Sequence, residues 1–245
     1  MADPALRFKD VVKTYRYSHL GRVTLTRGVE NLDLVVADGE AFGLLGLNGS
    51  GKTTTFKLAL GLLRPTSGEI SVLGNAPEHV VSRAQVGYLP ELPYFYSFLT
   101  PRETLRFYGR LSALPEADLD SRVAAAIDSV GLGQFADRPV GQLSKGTVQR
   151  VGLAQAVLHD PKLVILDEPV SGLDPLAVKQ FRDALVALNA KGKTLLVSSH
   201  SISEIEKLCH RVGILKDGRI VRVAKQAEWA GSKDGLEGLF VETVR

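Results

Sequence analysis

The chain is 245 residues long, 44% hydrophobic and 23% charged, with a net charge of +3. That length accommodates one large α/β domain or two small ones, and the balance is ordinary for a packed core. So small a charge, with no long run of Lys or Arg, gives no reason to expect a nucleic-acid partner. No apolar run approaches the roughly 18 residues of a membrane span, and the single cysteine, Cys209, excludes an internal disulfide framework and fits a reducing cytosol.

The N-terminal stretch MADPALRFKD lacks the apolar segment of a signal peptide. Leu6–Val12 and Leu32–Val36 then read as strands, with Arg16–Arg27 between them as a polar hairpin tip or small insertion. The Asp38-Gly39 turn leads into Ala41–Leu45, an apolar run of buried-strand character. Directly after it, Gly46-Leu47-Asn48-Gly49-Ser50-Gly51-Lys52-Thr53 matches the phosphate-binding loop G-x-x-x-x-G-K-[ST], and Thr54–Leu63 is helix-compatible. Strand, glycine-rich loop and helix in that order are the context in which this motif cradles a nucleoside triphosphate. Glycines let successive N–H groups turn onto phosphate oxygens, and the helix N-terminus adds its positive end. Lys52 then reaches the β- and γ-phosphates and the Thr53 hydroxyl ligates Mg²⁺.

Pro65-Thr66-Ser67-Gly68 breaks the chain and Glu69–Leu73 resumes as a strand. From about Leu92 the pattern becomes helical. Thr100-Pro101-Arg102-Glu103 is a capping box with proline at the first helical position, followed by apolar side chains at Leu105, Tyr108 and Leu111. A second helix carries Leu119, Val123, Ile127 and Val130 on one face and stops at Gly131.

From Leu163 the strand–helix alternation returns. Leu163–Leu166 reads as a buried strand, and Asp174-Pro175 opens a helix with Phe181, Leu185 and Leu188 that ends near Gly192. Thr194–Ser198 is a further strand, Ser201 with Glu204 reads as a second capping box, and Cys209 and His210 fall at a helix end. Asp217-Gly218 between Val212–Leu215 and Arg219–Val223 is a hairpin signal. The alternation predicts an α/β fold with a mostly parallel sheet. Asp167 and Glu168 follow the Leu163–Leu166 strand, at the end where open α/β sheets bind ligands. There Asp167 can hold Mg²⁺ through its water shell, and Glu168 can orient or deprotonate an attacking water.

With these motifs in place the chain resembles the nucleotide-binding subunit of ABC transporters over nearly its whole length. The family's LSGGQ signature is matched by Leu143-Ser144-Lys145-Gly146-Thr147, its loop after the catalytic acid by Ser171-Gly172-Leu173-Asp174-Pro175, and its switch histidine by His200. The resemblance implies a P-loop NTPase core over residues 1–91 and 159–245, with an N-terminal antiparallel β subdomain. A helical subdomain carrying the signature is inserted at about 92–158. It further implies an ATPase that dimerises with a second copy or a homologous cassette around two ATP molecules and Mg²⁺. In such a dimer the loop Gly46–Thr54 of one subunit faces Ser144 and Gly146 of the other, with Asp174 beside the nucleotide. His200 would sense the γ-phosphate, and Tyr15 would stack on adenine or simply pack at a strand end. The expected setting is peripheral, on the cytoplasmic face of the inner membrane, driving export through a separate transmembrane permease.

The chain departs from the family pattern at Glu91, which replaces a glutamine that touches Mg²⁺ or water, and at Lys145 and Thr147 in the signature. A carboxylate at Glu91 can still ligate the metal or face solvent; Lys145 can add charge towards ATP or point outward. The alternative expectation is a cassette acting on nucleic acid or ribosomes without transport.

Overall fold

The structure, a computed structural model, describes residues 3–19, 22–232 and 234–244. Residues 1–2 of the N-terminal stretch and residues 20–21 of the Arg16–Arg27 segment lie outside the described residues. In chain order the elements are β1 (Leu6–His19), β2 (Arg22–Val36), β3 (Ala41–Gly46), α1 (Lys52–Ala59), β4 (Ser67–Val72), α2 (Val80–Arg83), β5 (Val86–Leu89), α3 (Pro101–Leu111) and α4 (Glu116–Ser129). They continue as α5 (Lys145–Val157), β6 (Leu163–Leu166), α6 (Pro175–Ala190), β7 (Thr194–Ser198), α7 (Ile202–Leu208), β8 (Arg211–Lys216), β9 (Arg219–Lys225), α8 (Gln226–Trp229) and α9 (Gly235–Val244). The chain divides into two compact units, Met1–Arg83 with Thr194–Arg245, and Ala84–Lys193.

In the first unit, β1 pairs antiparallel with β2 and β4. Of the two readings of Arg16–Arg27, a hairpin tip or a small insertion, the described residues follow the hairpin: β1 and β2 stay paired through it, with Arg16 opposite Leu25. The other sheet is parallel at its centre, β3 lying between β7 and β8, and β9 adds antiparallel to β8 across the Asp217-Gly218 turn. Every residue of β3 and of β7 is buried, which is why β3 and the centre of β7, Leu195-Leu196-Val197, show no polar alternation.

Helix α1 is shorter than the expected Thr54–Leu63. It stops at Ala59 because the Leu62 N–H donates to the Lys57 carbonyl (2.9 Å) and the Gly61 N–H to that of Leu58 (3.0 Å), a Schellman closure. The Ser201–Glu204 capping box does not form: Ser201 makes no side-chain cap, and its N–H donates to Ser199 Oγ at 2.9 Å. As expected, Cys209 closes α7; the thiol is buried and burial pushes its pKa well up. The next residue, His210, accepts the Ala41 N–H on Nδ1 at 3.1 Å and so helps fix the start of β3. In the C-terminal helix α9, Leu236 and Leu239 are buried, and the Leu236 N–H donates to Glu206 Oε1.

The second unit has β5 and β6 paired in parallel, with helices α3 to α6. The Thr100 capping box forms: Thr100 Oγ1 accepts the Glu103 N–H and Glu103 reaches back to the Thr100 N–H. On α4 the face Leu119, Val123 and Ile127 is buried, as is Val130 beyond it. Leu111, expected on the buried face of α3, is 66% exposed. At 3.6 residues per turn it lies about 240° round the helix from Leu105, and Thr104, Leu105 and Gly109 carry the packing instead. Among the described residues no helix is long and apolar enough to cross a membrane.

Candidate nucleotide site

In the first unit, β3 carries the chain out of the sheet at Gly46 and α1 receives it at Lys52, so residues 47–51 form a tight loop over the strand end. The Ser50 N–H donates to the Leu47 carbonyl (3.1 Å), and the Gly218 N–H anchors the Ser50 carbonyl from below (2.9 Å). Gly51, the N-cap of α1, sits at φ 111°, and a Cβ there would lie 2.7 Å from the Gly28 carbonyl. No other residue fits that approach. No side chain caps α1, which leaves its first N–H groups directed at the loop opening.

Lys52 is only 8% exposed and folds back, donating from Nζ to the carbonyl oxygens of Gly46 (2.7 Å) and Leu47 (3.4 Å). Its ammonium is therefore held over the loop. Ser50 Oγ is buried with no hydrogen-bond partner among the described residues. An uncapped helix start, a cradled ammonium and an orphaned hydroxyl together fit the phosphates of a nucleotide.

Tyr15 is tied to the first turn of α1. Its hydroxyl lies 3.1 Å from Thr54 Oγ1, and the Lys13 ammonium stands 5.7 Å from its ring centre. His200 leaves the same sheet edge: Leu44 of β3 pairs with Ser198, the last residue of β7, and His200 follows two residues beyond that strand end, as Gly46 lies two residues beyond Leu44. His200 is exposed.

The second unit collects the acidic and signature residues. Strand β6, buried at every position, is followed directly by Asp167, which is 7% exposed and whose N–H donates to the Leu89 carbonyl at 2.9 Å. Burial, and then the charge of Asp167, push the Tyr88 phenol up to about 12, so Tyr88 stays a neutral donor near that carboxylate. Glu168 is in the left-handed backbone region at φ 46°, and its carbonyl accepts the Ser171 N–H at 3.1 Å. A glutamate held there costs about 1–3 kcal/mol, a cost characteristic of functional positions. Glu91 is exposed in the loop after β5.

Ser144 caps α5 by accepting the Thr147 N–H (3.3 Å), and Asp174 caps α6 by accepting the Ala177 N–H (3.0 Å). A Cβ on Gly146 would lie 2.8 Å from that of Ala177, so the glycine lets the two helix starts meet. Ser144, Gly146 and Asp174 share one cavity of about 660 Å³, joined by Thr147 and Arg150. Sequence reasoning missed the parts of Tyr88, Thr147 and Arg150. Thr147 could have been found, since a hydroxyl three residues after a Ser cap can pair with it, as it does at 2.9 Å. Among the described residues no three His, Cys, Asp or Glu side chains cluster as a metal cage. Magnesium needs none, being held through one or two protein oxygens, phosphates and water.

A family model described as ABC transporter matches residues 29–171. The chain is 40% identical over 235 residues to an uncharacterized ABC transporter ATP-binding protein of Synechocystis, covering 93% of this chain and 66% of that protein. It is 36% identical to the Nod factor export ATP-binding protein I of Paraburkholderia xenovorans, covering 97% and 76% respectively. The chain thus spans about two thirds of the cyanobacterial relative's length. Among solved structures, the ATP-binding subunit of an ABC transporter superposes with a TM-score of 0.81 at 31% identity, covering 98% of this chain and 99% of the other. A dimeric ATP-binding cassette in a post-hydrolysis state bound to ADP and Pi gives 0.79 at 26% identity, over 90% and 98%. The fold is that of an ABC ATPase cassette.

Proposed function

The chain belongs to the ABC transporter family as an ATP-binding cassette, and from that premise we propose that it hydrolyses ATP to drive export through a separate transmembrane permease. The observation that carries this reading is the phosphate loop, where the Lys52 ammonium is held over an uncapped helix start beside the orphaned Ser50 hydroxyl.

In this reading Gly46–Thr54 binds the triphosphate, Lys52 offsets charge developing on the γ-phosphoryl, and Tyr15 takes the adenine. Thr53, Asp167 and Glu91 would hold the magnesium ion, which when bound would withdraw charge from the phosphoryl oxygens. Glu168 orients the attacking water and His200 steadies the transferred group. Ser144 and Gly146 present the start of α5 to the nucleotide of a second cassette, and Asp174 lies beside it. Neither half is complete alone, so hydrolysis follows dimer closure around two ATP molecules.

An exposed aromatic surface supports a protein partner. Tyr94 is 85% exposed beside Tyr96 and Phe98, and Tyr96 packs on Phe98 and Phe107 at 5.6 and 5.9 Å between ring centres. Apolar surface of that kind marks an interaction site. The whole chain is read as one cassette, peripheral on the cytoplasmic face of the inner membrane. Affinity purification from native membranes in mild detergent tests this. A polytopic membrane protein at near-equal stoichiometry is expected; co-purified ribosomes or nucleic acid would overturn the transport reading.

A further inference from the structure

We infer that Lys145 is a positioning residue, tethering the start of the signature helix to the loop that carries Glu168; the inference rests on the proposed ATPase reading. Lys145 is the first residue of α5 and is itself exposed. Its Nζ nevertheless donates to the Ser171 carbonyl at 2.6 Å. The Ser171 N–H in turn donates to the Glu168 carbonyl at 3.1 Å. Ser171 is thus gripped at both of its backbone polar groups, by the signature helix on one side and by Glu168 on the other.

Two details argue that this is a built contact and not a surface lysine at rest. A cation in the first turn of a helix opposes the helix dipole, and α5 has no acidic residue there to compensate. The position is locally unfavourable unless the ammonium has an acceptor, and the Ser171 carbonyl is that acceptor. Gly172 then supplies the room: it sits at φ 67°, and a Cβ on it would lie 2.7 Å from Lys145 Nζ. The consequence falls on Glu168, whose left-handed backbone at φ 46° needs its surroundings to hold it. Lys145 closes that turn from outside, so the signature segment and the candidate catalytic acid are mechanically joined within one subunit. A glycine at this position, as in the common signature, has no side chain to make the link.

The test compares wild type, Lys145→Met and Lys145→Arg as full chains, by steady-state ATP hydrolysis and by hydrogen exchange of the peptide spanning 168–173. Lys145→Met is expected to lower kcat about three- to tenfold with KM within about twofold, and to speed amide exchange at Ser171 by a similar factor. Lys145→Arg, which keeps a cationic donor, is expected to restore both. In a Glu168→Gln background the Met substitution is expected to cost no further hydrolysis. Raised KM at unchanged kcat would make the lysine a nucleotide contact and overturn the inference. So would faster exchange with unchanged kcat, or no change in either. A wild-type chain that hydrolyses no ATP would overturn the ATPase reading itself, and the exchange comparison would then still decide whether the tether exists.

Discussion

The hydroxyls of Tyr15 and Thr54 lie 3.1 Å apart, so the first strand is bonded to the helix that starts the phosphate site. This bond separates two roles for the tyrosine. If the ring stacks on adenine, Tyr15→Phe keeps the stacking face and ATP affinity stays within about threefold, whereas Tyr15→Ala weakens it at least about tenfold. If the ring only braces the loop through its hydroxyl, Phe and Ala act alike. Titration with a fluorescent ATP analogue reads the difference.

Lys52 is held by the Gly46 and Leu47 carbonyls, ready to exchange part of that bonding for phosphate. Lys52→Met removes a buried charge-assisted donor from the phosphate loop. Nucleotide affinity is expected to fall about 10- to 100-fold, with thermal stability in the absence of nucleotide little changed. Calorimetric titration and a melting curve check the two halves separately.

Glu168→Gln is expected to lower ATP turnover about 10²- to 10⁴-fold while ATP still binds, because the amide keeps the shape and loses the base. Ser144→Arg should likewise abolish turnover and leave binding largely intact, but for another reason: the long, charged side chain fills the cavity at the start of α5. Loss of its cap should also reduce stability by about 0.5–2 kcal/mol. Turnover and binding assays on both variants, with a melt on the second, distinguish the mechanisms.

The pattern was most legible where burial is complete. Strands β3, β6 and β7 are buried at every residue, so their apolar runs marked them directly, and with them the loop and the acids they deliver. The Thr100 box was legible because its partners are local. The Ser201 box was misread for the opposite reason: Ser199 Oγ takes the Ser201 N–H that the Glu204 carboxylate would accept in the box, and sequence spacing does not rank the two acceptors. Leu111 was misplaced because a three-residue repeat drifts off the buried stripe when the packing positions are Leu105 and Gly109. The Lys145–Ser171 bond spans 26 positions in sequence and leaves no local signal at all.

His159 provides a pH test of the second unit. Burial, partly offset by the hydrogen bond to the Val86 carbonyl, lowers its pKa from the ordinary 6.5. The folded state therefore favours the neutral ring, while the unfolded chain takes up a proton below about 6.5. This contribution to stability is present above pH 6.5 and is lost as pH falls from there towards the folded value. Denaturant melts of wild type and His159→Gln at pH 7.5 and 5.5 should show the smaller loss for the variant.

The sole cysteine, Cys209, has its thiol sealed in the core and held in the protonated form. To an electrophilic label the folded chain is therefore blank. A cysteine placed on any exposed site can be tagged with a dye or a spin probe with no native residue first removed, so distances can be followed through the nucleotide cycle in an otherwise unaltered protein.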